Sequence, residues 1–178
     1  EASDWSADVC LPISIDGYKT SHRAQYPEGT SLVYGNFTPR TNKYFKSPFF
    51  SNRKGGSPLI WAGAQALVLQ WLVKGFNQHF FGQDKDRVLN EYKSFMDNYL
   101  GKDAVPVDGM AALHDLGYLP LEIKSIPEGS FVEMKVPVLT IVNTKPEFFW
   151  LVNYLETLLS AELWPVATAA TIAFNYRC

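Results

Sequence analysis

The chain has 178 residues, of which 47% are hydrophobic and 19% charged, with a formal net charge of −2. That balance excludes a disordered tail and gives no expectation of a nucleic-acid partner, and the length allows a sizeable buried core. The size suits one domain or a large piece of a bigger protein.

Residues 1–15 read as a polar leader followed by a short apolar run. Asp4 and Asp8 stand where a secretory signal carries basic residues, so cytoplasmic residence is expected. Asp16 opens a short helical or turn segment that ends near Tyr26-Pro27, and residues 27–30 are turn chemistry. Leu32, Val33, Tyr34 and Phe37 predict a strand over 31–38. Residues 39–57 follow no period and carry Arg40, Lys43, Lys46, Arg53 and Lys54 with no acidic residue, as expected of a flexible basic loop closed by Gly55-Gly56-Ser57-Pro58. Arg53 and Lys54 read as solvent charges beside those glycines.

Leu59 to Trp61 fits a short strand. Ala64, Leu67, Val68, Trp71, Leu72 and Gly75 then recur at the spacing of one buried helix face, predicting a helix from about 63 to 81 with Gly82 as its stop. Asp84 is placed to cap a second helix with an apolar stripe of Val88, Tyr92, Phe95, Met96 and Tyr99. A third, short helix fits Asp108 to Leu116, with Gly117 just past its end.

Leu119, Leu121 and Ile123 alternate with Pro120, Glu122 and Lys124, which predicts a half-exposed strand. Residues 130–136 alternate again, and 138–142 form a more continuously apolar strand. Thr144 is placed to cap a helix with Pro146 and Glu147 in its first turn, running to about Trp164 and buried on more than one side. Pro165 is expected to end or kink it. No run of about 18 residues is free of polar interruption, so no membrane span is expected. Cys10 and Cys178 lie at opposite ends, and free thiols are expected in preference to a disulfide. Strands mixed with helices give an α/β fold class, as an α+β-like mixed sheet with helices.

Asp16-Gly17-Tyr18-Lys19, Ser21-His22 and Gln25-Tyr26-Pro27 together resemble the N-terminal segment of nicotinamide phosphoribosyltransferases. The likeness continues through Thr30-Ser31, Val33-Tyr34, Phe37 and Arg40, through residues 119–124 and 126–129, and through Asn143-Thr144, Pro146-Glu147, Trp150-Leu151, Asn153 and Glu156-Thr157 to Trp164-Pro165 and Ala167-Thr168. It spans about residues 10–170, with 41–110 agreeing mainly in pattern and length.

The resemblance implies the N-terminal domain portion of a type II phosphoribosyltransferase, whose α/β barrel lies outside this chain. That family joins nicotinamide to phosphoribosyl pyrophosphate, giving nicotinamide mononucleotide and pyrophosphate for NAD biosynthesis. It implies a homodimer in which Tyr18 stacks on the pyridine ring in the partner's site, Asp16 stands beside the nicotinamide amide, and Arg40 reaches the pyrophosphate. Lys43 and Lys46 would add positive field. Mg²⁺ is the expected companion of the pyrophosphate substrate, and ATP coupling would act through a histidine of the barrel. With the barrel elsewhere, the chain alone is expected to be inactive.

Plainer roles stand beside these. Asp16 also reads as a helix N-cap, and His22 as structural, because attack by a neutral pyridine nitrogen needs no base. No metal-ligand spacing and no nucleotide-binding glycine pattern is present. Two other readings remain: a nicotinate-using relative, and a short non-catalytic binding protein that pairs with a separately encoded barrel chain.

Overall fold

Five short strands, β1 (Tyr34–Phe37), β2 (Leu59–Ile60), β3 (Leu121–Ser125), β4 (Phe131–Val132) and β5 (Leu139–Asn143), form two antiparallel sheets in the computed structural model. The structure describes residues 15–45 and 47–177, so the leader, Cys10, Lys46 and Cys178 lie outside the described residues. β5 is central in the order β1-β5-β3, with Tyr34 opposite Val142 and Ile123 opposite Ile141. A central strand is covered on both faces, which is why 138–142 reads as continuously apolar. β2 pairs with β4 alone.

β1 begins later than expected because a side chain replaces the ladder at its start. Asn143 is buried; its Oδ1 accepts from the Val33 N–H at 2.8 Å, and its Nδ2 donates to the carbonyls of Ser31 at 2.8 Å and Lys145 at 2.9 Å. Asn143→Ala therefore strips one backbone donor and two acceptors of their partner. It is expected to cost about 2–3 kcal/mol, read as a shift in the urea midpoint at constant m.

Six α-helices follow the predicted order: α1 (His22–Gln25), α2 (Ala64–Leu67), α3 (Lys85–Leu100), α4 (Asp108–Leu116), α5 (Leu151–Tyr154) and α6 (Glu156–Arg177). α2 differs from the expectation in its winding: it continues as π-helical turns over Val68–Gly75 and Asn77–Phe81. The Gly82 N–H reaches the Asn77 carbonyl, five residues back, at 2.9 Å. The wider turn shifts the buried face to Leu67, Leu72, Phe76 and Phe80 and leaves Trp71 36% exposed. Gly63 starts this helix at φ +102, and a Cβ there would lie 3.0 Å from Val166 of α6.

Asp84 does cap α3, accepting from the Arg87 N–H at 2.9 Å. Val88, Tyr92 and Met96 are buried, whereas Phe95 and Tyr99 of the predicted stripe are exposed. Gly117 ends α4 in the left-handed conformation.

Two expectations near 144–165 are corrected. Thr144 is not a helix cap: its N–H donates to the Pro120 carbonyl at 2.8 Å, and a 3₁₀ turn over Pro146–Phe148 follows Lys145 without a side-chain cap. The helix does not end at Pro165 either, because α6 runs through it to Arg177. Proline forfeits a backbone hydrogen bond there, but Leu163, Ala167 and Thr171 on either side are buried. The Thr171 hydroxyl donates to the Ala167 carbonyl at 2.7 Å and accepts from the Ile60 N–H at 2.9 Å, tying α6 to β2. By length and composition α6 is apolar enough to cross a membrane. Its buried ladder Leu159-Leu163-Ala167-Thr171 nevertheless packs toward β2 and α2.

Candidate functional site

The segment that carries Asp16 and Tyr18 is a 3₁₀ turn, Gly17–Ser21, laid against the first turn of α6. The exposed Tyr99 ring lies over Gly17, so a Cβ there would have to push that ring aside. Asp16 occupies the N-cap position without capping through its side chain. Its Oδ2 instead accepts from the Thr157 hydroxyl at 2.8 Å and from the Tyr18 phenol at 3.2 Å. The N-cap role expected of its side chain is thus replaced by a contact 141 residues away in sequence.

Tyr18 is 60% exposed, and its ring leans on His22 with centroids 5.2 Å apart. The hydrogen bond to the Asp16 carboxylate raises the phenol's pKa above its ordinary value, with lesser contributions from desolvation and from the charges of Asp16 and Glu156. Tyr18 therefore keeps its proton and presents a neutral aromatic face.

Lys19 is 6% exposed, and its ammonium lies 5.8 Å from the Tyr18 ring centroid. Its Nζ donates to Glu156 Oε2 at 2.7 Å, Asn153 Oδ1 at 3.0 Å and the Asn153 carbonyl at 3.1 Å. The Asn153 amide in turn donates to the Tyr26 hydroxyl at 3.2 Å. Sequence reasoning assigned no site role to Lys19, Asn153, Glu156 or Thr157. All four stand in the series of residues that carries the resemblance, but nothing local in the sequence shows that they meet.

Asn153 and Glu156 also line a groove of about 620 Å³ between β1 and α6. Gly35 forms part of its wall, where a Cβ would come within 3.1 Å of Ile141 and Val152, so these side chains would have to give by a few tenths of an ångström to admit a larger residue. Arg40 stands on the groove's rim, exposed and without an ion pair among the described residues. The structure thus brings Arg40 to the groove wall that also anchors the Asp16–Tyr18 turn through Glu156 and Asn153.

Lys43 is not among the groove residues: its ammonium lies 5.1 Å from the Tyr44 ring centroid. Arg53, expected in solvent, pairs with Glu133 and lies 5.9 Å from the Phe50 ring centroid. The basic loop is tied across its neck, with Asn42 donating to the carbonyls of Gly55 and Ser57 and the Ser47 N–H donating to Ser57 Oγ at 3.0 Å. A second concavity of about 500 Å³ lies on the far side of Lys19, toward Tyr92, Met110 and Trp150. At its edge Arg23 pairs with Asp108 at 2.8 Å and holds that carboxyl below its ordinary range. Among the described residues no three His, Cys, Asp or Glu side chains come together as metal ligands would.

Against known proteins, no family model matches the chain. It is 52% identical over 164 residues to the nicotinamide phosphoribosyltransferase of Acinetobacter baylyi, covering 92% of this chain and 32% of that protein, in its N-terminal part. Proteins of the same name from Xanthomonas campestris and Mycoplasma pneumoniae are 28% and 26% identical over 94% and 93% of this chain. The chain spans about a third of the length of the curated relatives it matches. Among solved structures, human nicotinic acid phosphoribosyltransferase superposes with a TM-score of 0.59 at 21% identity over 89% of this chain and 27% of its own. That likeness extends the agreement to the fold.

Proposed function

We propose that the chain is the N-terminal part of an enzyme that joins nicotinamide to phosphoribosyl pyrophosphate, releasing pyrophosphate and giving nicotinamide mononucleotide for NAD biosynthesis. The observation that carries this reading is the 52% identity to a nicotinamide phosphoribosyltransferase across 92% of the chain. The Asp16–Tyr18 turn agrees with it, presenting an aromatic face and a carboxylate outward together.

In the reaction the pyridine nitrogen attacks the anomeric carbon as the bond to pyrophosphate breaks. Positive charge moves onto the pyridine ring and negative charge leaves with the pyrophosphate. Stacking against Tyr18 offers the ring a π-face that becomes more favourable as the ring turns cationic. Asp16 Oδ1 has no partner among the described residues and is an acceptor for the amide NH₂ of nicotinamide. The same oxygen would repel the carboxylate of nicotinate, which favours the amide as substrate. Arg40 supplies a guanidinium for phosphate oxygens, with Lys43 a weaker, more distant charge.

In this reading the three residues act on a site completed elsewhere, by a homodimer partner's barrel or a separately encoded one. Mg²⁺ arrives with the pyrophosphate substrate, and any ATP coupling belongs to the barrel. Residence is in the cytoplasm.

The test is an assay of the full-length protein with phosphoribosyl pyrophosphate, Mg²⁺ and either nicotinamide or nicotinate, with and without ATP. Formation of nicotinamide mononucleotide with kcat/KM at least tenfold above that for nicotinate is expected. Preference for nicotinate would replace the reading with its acid-using counterpart. No turnover of either substrate would favour a binding role.

A further inference from the structure

Asp16 and Tyr18 sit on a short turn with little regular structure of its own, yet their relative geometry is fixed. What fixes it is a pair of anchors one residue apart on α6. Thr157 Oγ1 donates to Asp16 Oδ2 at 2.8 Å and lies 3.4 Å from the Asp16 N–H, so one hydroxyl meets both the side chain and the backbone of that residue. Beside it, the buried Lys19 ammonium is held by Glu156 and by two oxygens of Asn153. Within the turn, the Lys19 N–H donates to the Asp16 carbonyl at 2.9 Å. Tyr18 lies between the two anchored residues and is oriented by its phenol bond to Asp16, its contact with His22 and the Lys19 ammonium, 5.8 Å from its ring centroid.

From this we propose that Thr157 and Lys19 are positioning residues for nicotinamide binding: they lock the turn to α6 so that the Tyr18 ring and the free oxygen of Asp16 are presented together before the substrate arrives. The inference rests on the function proposed above. Neither residue touches substrate. The physical benefit is preorganisation, since a turn ordered in advance does not lose conformational freedom on binding. Thr157 is the more informative of the two, because its hydroxyl can be removed at nearly constant volume. Lys19 also supports the groove wall through Glu156, so its loss reaches further.

The experiment compares Thr157→Val and Thr157→Ser in the full-length protein with three readouts. The first is KM for nicotinamide against KM for phosphoribosyl pyrophosphate and against kcat. The second is amide hydrogen exchange in a peptide covering residues 15–22. The third is Tm. For Thr157→Val, KM for nicotinamide is expected to rise at least fivefold and by more than kcat or the other KM changes, with faster exchange confined to 15–22. Thr157→Ser, which keeps the oxygen, is expected to restore both. Lys19→Met should accelerate the same amides, and it serves as the second variant if Thr157→Val lowers Tm.

Unchanged exchange in 15–22 for Thr157→Val would overturn the anchoring. Faster exchange with an unchanged nicotinamide KM would overturn the positioning role. Exchange is read without substrate. A full-length protein that turns over no pyridine but still shows the exchange pattern would therefore fail the proposed function while leaving the anchor standing.

Discussion

Replacing Trp61 with alanine is expected to cost about 3–5 kcal/mol, a large share of the roughly 5–15 kcal/mol that holds an ordinary domain folded. Trp61 is fully buried and meets β1, the end of β3 and the turn before β4. Its indole N–H donates to Ser125 Oγ at 2.7 Å at the end of β3, and its ring lies 5.7 Å from that of Phe37 on β1. Its backbone N–H and carbonyl meet the Ser130 carbonyl and the Gly129 N–H at 3.0 and 2.8 Å, extending the two-stranded sheet toward the turn before β4. Trp61→Phe keeps most of the volume and loses only the indole donor; Ser125 Oγ still donates to the Ile126 carbonyl. That variant should cost about 1–2 kcal/mol. Urea unfolding of both variants measures the difference. A loss below about 1 kcal/mol for the alanine variant would mean the two sheets do not depend on this side chain.

Trp61 also shows what the sequence did and did not reveal. Its strand was legible from the apolar pair before it, but its partners lie 64 and 24 residues away, just past one expected strand and within another, and nothing local joins them to residue 61. The same division runs through the molecule. Period-2 alternation at 119–124 and the capped start at Asp84 are local signals, and the structure places β3 and α3 on them. The π-winding after Leu67 has no local signature: Ala64, Leu67, Leu72 and Gly75 of the expected face are buried, but Trp71, placed inside, is 36% exposed. Pro165 was read as ending or kinking the helix because helix propensity is local, and the helix continues past it where the burial of Leu163 and Ala167 depends on tertiary packing.

At the candidate site, the sequence named candidates but not what holds them. Asp16, Tyr18 and Arg40 were given roles through the order and spacing of a whole series of residues. Lys19 and Thr157 stood in that series without a role, because a hydroxyl bonded to residue 16 from residue 157 leaves no trace in either neighbourhood. Lys43 shows the converse: a basic residue in a basic run, it leans on Tyr44 instead of joining Arg40 at the groove.

Substituting Tyr18 by alanine in the full-length protein is expected to raise KM for nicotinamide roughly 10- to 100-fold, equivalent to about 1.4–2.7 kcal/mol of lost binding. Stability should move by less than about 0.5 kcal/mol, because the ring is 60% exposed and meets only near neighbours in its own turn and α1, among them His22 and the Lys19 ammonium. Tyr18→Phe divides the effect in two. It keeps the stacking face and removes the hydroxyl that donates to Asp16, so its KM should lie nearer the wild type than the alanine variant's. The phenol's pKa is raised above 10.0, chiefly by its bond to Asp16. A group with a raised pKa stays protonated up to that value, so ionisation of Tyr18 should put no break in the wild-type KM profile below about pH 10. A neutral ring is also what a nearby carboxylate requires, since two anions facing one substrate amide would repel each other. Parallel losses of Tm and activity in Tyr18→Ala would show the ring to be a structural prop. A KM unchanged for nicotinamide but raised for phosphoribosyl pyrophosphate would move Tyr18 to the other substrate.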